Sequence, residues 1–92
     1  MNEKRGTPGD DQIDEAMIRL AAKRGPEKTI CPSEVAREIA GSDPEAWRPL
    51  MGPIRDRAVA AAKTGRIVIK QGGRPVDPDD FSGIYRIAIQ PD

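Results

Sequence analysis

Residues 66–89, RIVIKQGGRPVDPDDFSGIYRIAI, decide the fold of this chain. At both ends the apolar period is two. Ile67 and Ile69 alternate with Arg66, Val68 and Lys70, and in the second run Tyr85, Ile87 and Ile89 share a face. Two such runs joined by a loop predict an antiparallel hairpin. The connection from Gln71 to Gly83 is longer than the ~2–5 residues of a tight hairpin loop. It is therefore expected to fold on itself, with Val76 and Phe81 tucked inward and Arg74 at the tip.

Upstream of this stretch the period is helical. Ile13, Met17, Leu20 and Ala21 recur at helix spacing, and Asp10 or Asp11 can cap a helix that ends before Gly25-Pro26. Lys28-Thr29-Ile30 reads as a short strand. In CPSEVAREIAG, residues 31–41, Pro32 suits the first helical position and Glu34 can reach back in capping-box fashion, which makes Cys31 the cap. Asp43-Pro44 starts a further turn. Pro49 and Pro53 forbid one unbroken helix over 44–65, so a turn at 44–48 should precede a third main helix that begins between those prolines. Leu50, Ile54, Ala58 and Ala61 fall on one side of that helix, with Trp47 read as core beside them.

Helix, short strand, helix, helix, strand, loop, strand is an α+β order. It matches a winged helix-turn-helix, in which three helices cover an aliphatic core and a C-terminal antiparallel hairpin closes its open side. One domain over residues 10–90 follows a lead-in over residues 1–9, which is polar, has nothing to bury and reads as disordered. That opening segment has no apolar stretch of the secretory-signal kind.

Three motifs, ICPSEVAREIAG, WRPLMGPIR and GRIVIKQGGRPVDP, resemble a small bacterial family of domains of unknown function over about residues 12–89. That family is similar to winged-helix proteins, and some members carry an additional cysteine-rich segment. The resemblance implies a fold and leaves function to the residues themselves.

Composition narrows the chemistry. The 92 residues include no histidine and one cysteine, and 37% are apolar with three aromatic side chains. Lacking histidine, the chain has neither the commonest general base nor the commonest transition-metal ligand. A lone Cys31 fits a reducing cytoplasm. No run approaches the ~20 apolar residues that cross a bilayer, so no membrane partner is expected. Lys and Arg balance Asp and Glu at 15 each, but the charge is uneven. Residues 53–74 hold six cations against Asp56 alone, which suggests a local positive face.

Five of those cations, Arg55, Lys63, Arg66, Lys70 and Arg74, are the candidate nucleic-acid-binding residues. Duplex DNA is the expected partner, with the third main helix in the major groove and the wing along the backbone. The helix itself is poor in hydrogen-bond donors, and Asp56 repels phosphate. The alternative is a protein-interaction or self-association module using the Val59–Ala62 stretch. No enzyme, catalytic residue, cofactor or metal site is expected. Asp77, Asp79 and Asp80 are too few for a calcium loop, which takes ~6–8 oxygens. They are better explained by an Asp-capped turn at Pro78. Gly72-Gly73 precedes no helix and so lacks the context of a phosphate loop. Cys31 reads as a packed cap residue.

Overall fold

The computed structural model describes residues 9–91. Apart from Gly9, the expected lead-in over residues 1–9 lies outside them. Helix α1 spans Asp10–Arg24, α2 Pro32–Ala40, the single turn α3 Pro44–Trp47 and α4 Met51–Lys63, with a 3-10 turn at Arg48–Leu50 joining the last two. Strands β1 (Ile67–Gln71), β2 (Arg74–Pro75) and β3 (Arg86–Ile89) form an antiparallel sheet in the order β2-β1-β3. Three main helices packed on a small sheet is a winged-helix-like arrangement.

The helix boundaries follow local chemistry. The cap of α1 is the extended Gly9, whose carbonyl accepts from Gln12 and Ile13. Asp10 and Asp11, the expected caps, sit instead inside the first turn, where the helix dipole favours them. At α2 the Glu34 carboxylate accepts from the Cys31 N–H at 2.9 Å, which is the expected capping-box contact. Asp43 caps α3 by accepting from the Glu45 N–H at 3.0 Å. Pro53 lies in the first turn of α4, where a missing N–H removes no helical bond.

The short strand expected at Lys28–Ile30 is reduced to a single bridge, Ile30 to Ile87. Its neighbours are committed elsewhere. The Cys31 N–H goes to Glu34, Pro32 has none, and the Lys28 N–H closes a turn onto Gly25. The long connection also differs from expectation, because it begins with a tight hairpin. Lys70 pairs with Pro75 and Gln71 with Arg74, leaving only Gly72-Gly73 between. Both glycines have positive φ, +59° and +81°, as a type I′ turn requires. The rest of the connection does fold on itself. Asp77 accepts from the Asp79 N–H at 2.9 Å, and Phe81 stacks edge-on against Tyr85 with ring centres 5.4 Å apart.

The core lies between the helices and one face of the sheet. Ile13, Met17, Val35 and Ile54 from the helices meet Ile67, Ile69 and Ile87 from the strands, and all are fully buried. Trp47 is only half-buried, flanked by the guanidinium groups of Arg37 and Arg48 at 5.6 and 5.9 Å from its ring centre.

Tyr85 is 7% exposed and its hydroxyl has no partner among the described residues. Burial pushes the phenol up to about 12 from an ordinary 10.0, against the opposing pull of the Arg55 charge. The protonated form is favoured in the fold, so the Tyr85 contribution is intact below pH 10 and is lost as pH rises towards 12. Tyr85→Phe removes an unsatisfied hydroxyl and should raise stability by about 1 kcal/mol. It should also flatten the alkaline decline, as read by denaturant unfolding at pH 8 and pH 11.

Candidate nucleic-acid interface

The five candidate cations do not form one patch. Arg55, on α4, donates to the Phe81 carbonyl at 2.9 Å and lies over the Phe81 ring at 4.4 Å. Lys63, the last residue of α4, is 3.0 Å from Asp79. Both therefore hold the loop after β2 against the helix. Arg57 is tied to α1 by two 2.9 Å bonds to Asp14, which raise its pKa further. The outward side of α4 that remains comprises Gly52, Asp56 and Ala60, with few hydrogen-bond donors and a negative charge. The cations of α4 are thus engaged, at the surface, with other parts of the fold.

The wing differs. The Ile30 N–H donates to the Ile87 carbonyl at 2.8 Å, and the Ile87 N–H donates back at 3.0 Å. Both polar groups of Ile87 point away from β1, so those of its neighbours Arg86 and Ala88 point towards it. Lys70 and Arg86 are register partners and consequently form a hydrogen-bonded pair, with Cα atoms ~5.5 Å apart. Ile69 and Ile87 face the core, so Lys70 and Arg86 both project from the outer face.

Two cations thus stand directly opposite on neighbouring strands, an arrangement that is unfavourable in isolation. Neither has an acidic partner among the described residues. The Arg86 Nε donates to Thr29 Oγ1 at 3.0 Å, which steadies one end of the pair. Arg74 is exposed at the Gly72-Gly73 turn and is likewise without an ion pair among the described residues. Arg66 precedes β1 at its far end and lines a shallow hollow with Asp11, Asp14, Glu15 and Arg19.

Of the candidate set, Lys70 is thus brought together with Arg86, and Arg74 sits one turn away. Sequence reasoning passed over Arg86. The signal was present: with Tyr85, Ile87 and Ile89 inward, a period of two places Arg86 outward, and antiparallel pairing carries it to β1.

The remaining candidates resolve into structure. Cys31 is half-buried, with its Sγ 3.1 Å from Ser33 Oγ. Asp77 is engaged in its turn and Asp79 with Lys63. Among the described residues no three Cys, Asp or Glu side chains are grouped to hold a metal ion. No described helix is long and apolar enough to cross a membrane.

The chain belongs to the DUF3253 family of proteins of unknown function, whose family model matches residues 10–90. No curated protein matches it.

Two substitutions separate structural from surplus cations. Arg55→Ala should cost about 1–2 kcal/mol, from the lost ring contact and hydrogen bond. Lys70→Thr should gain about 0.2–1 kcal/mol at low ionic strength by relieving the cross-strand repulsion, and the gain should shrink as salt is added. Urea unfolding at two salt concentrations reads both.

Proposed function

We propose that this domain is a non-enzymatic nucleic-acid-binding module of the bacterial cytoplasm that engages duplex DNA through its wing. The observation that carries the reading is the outward Lys70–Arg86 pair, two unneutralised cations held face to face beside the exposed Arg74. A surface that retains such repulsion suits a polyanion, whose phosphates lie between the cations and remove the cost. The chain has zero formal net charge, so attraction comes from this local field and not from overall charge.

Because α4 keeps Arg55 and Lys63 for internal contacts, it contributes little base readout, and binding is to the sugar-phosphate backbone. The half-buried, Ala-rich Val59–Ala62 stretch of α4 favours a second reading, a protein or self-association surface of the same fold.

Titration of a labelled duplex at ~20 mM salt, repeated up to physiological ionic strength, tests the proposal. Three phosphate contacts give log K against log salt a slope of about −3, and Lys70→Ala or Arg86→Ala should each weaken binding uniformly and reduce the slope by about 1. No affinity at low salt, salt-independent affinity, or unchanged binding by both variants would overturn it. A dimer in light scattering that is lost on Val59→Asp would support the second reading.

A further inference from the structure

Ile84 is 89% exposed, the only large apolar side chain so displayed among the described residues. It is not the loose end of a loop. The Gln71 side-chain amide donates to the Ser82 carbonyl at 2.7 Å and to the Ile84 carbonyl at 2.9 Å, which fixes the backbone on both sides. The next residue, Tyr85, is buried and stacks on Phe81, itself held under Arg55. Collapse onto the core is thus prevented, and the side chain is held in water at a standing hydrophobic cost.

Its placement relates it to the cations. From Ile87 backwards the chain alternates inward Ile87, outward Arg86, inward Tyr85 and outward Ile84. Ile84 therefore lies on the same side as Arg86, about 7 Å further along. Continuing the Lys70–Arg86 register by two residues places it level with Gly72, in the turn that leads to Arg74. A rigid aliphatic side chain accordingly stands beside the outward Lys70–Arg86 pair, with Arg74 across the hairpin tip on strand β2.

We propose that Ile84 is a wedge that enters between stacked base pairs, unstacks one step and bends the duplex held by the flanking cations. This rests on the DNA-binding reading above and adds a mode of engagement to it. Aliphatic side chains used in this way kink DNA towards the opposite groove, and the flanking cations hold the phosphates on either side of the opened step. One isoleucine covers little of the ~800 Å² that each partner contributes to a protein interface. Its cationic neighbours would be costly to bury against an apolar partner surface. Both considerations favour a nucleic acid as the occupant.

The wedge carries no charge, so it leaves a different mark from the cations. Energy transfer between dyes at the two ends of a ~25-base-pair duplex reports the bend, with a central TA step in one duplex and a stiff A-tract in another. The wild-type protein should bend the TA duplex by about 20–90° and bind it more tightly than the A-tract. Ile84→Ser, at an exposed position that leaves the core intact, should abolish the bend and weaken binding by about 3–10-fold at every salt concentration, with the salt slope unchanged. Lys70→Ala should instead lower the slope. Binding without a bend, or a bend that survives Ile84→Ser, would overturn the wedge while leaving DNA binding intact. No binding at low salt would overturn both. Self-association that Ile84→Ser abolishes, without a protein-induced bend, would assign the side chain to a protein contact and also overturn the wedge.

Discussion

The two hydrogen bonds between Ile30 and Ile87 govern this structure. They join the segment between α1 and α2 to a strand that follows 57 residues later, and so close the helices over the sheet. Ile87 is completely buried, pairs with Ile69 on its other flank and fixes which side of β3 faces inward. Strand pairing has a period of two, so a one-residue slip would turn Ile87 to water and bring Arg86 into the core. The cost of burying that guanidinium without a partner excludes the slip. The register that protects the core is thus the register that places Arg86 opposite Lys70.

The fate of the other cations explains why the wing, and not α4, carries the candidate surface. Most of the arginines between α1 and α4 have internal partners: Arg19 bonds Glu15 and Glu38, Arg24 bonds Glu34, and Arg57 bonds Asp14. Arg55 and Lys63 hold the Asp77–Phe81 turn against α4, which in turn supports Tyr85 and the start of β3. The helix that would read bases in a typical helix-turn-helix serves here as the post on which the wing is mounted. Lys70, Arg86 and Arg74, which have no ion pair among the described residues, lie on the sheet and its hairpin tip.

Much of the fold was legible because its signals are local. Pro32 with Glu34, Asp43 with Pro44 and the prolines around Met51 define helix starts within a few residues of chain. The alternation of Ile67 and Ile69, and of Tyr85 and Ile87, identified the buried side of the sheet. Phe81 and Val76 were expected to turn inward, and both pack against the core. Strand β2 escaped because two residues are too few to show a period, and its hairpin was read as part of one long loop. Lys28–Ile30 was expected to pair more fully, but the local turn from the Lys28 N–H to Gly25 and the capping box at Cys31 leave only Ile30 to bridge β3. The internal partners of Arg55 and Lys63 were not legible. On a helical wheel an outward arginine reads as free, and only the returning loop after β2 supplies the Phe81 carbonyl and the Asp79 carboxylate that occupy these groups. The polar face of an amphipathic helix can be located from spacing, but its partners cannot.

Amide chemical-shift mapping during titration with a short duplex tests the central claim most directly, because it separates the sheet's outer face from α4 in one experiment. The account predicts progressive shifts at Val68, Lys70, Gly72, Arg74, Ile84 and Arg86 that diminish with added salt, while Asp56 and Ala60 stay unmoved. Shifts concentrated on the outward side of α4, or none anywhere at low ionic strength, would contradict it.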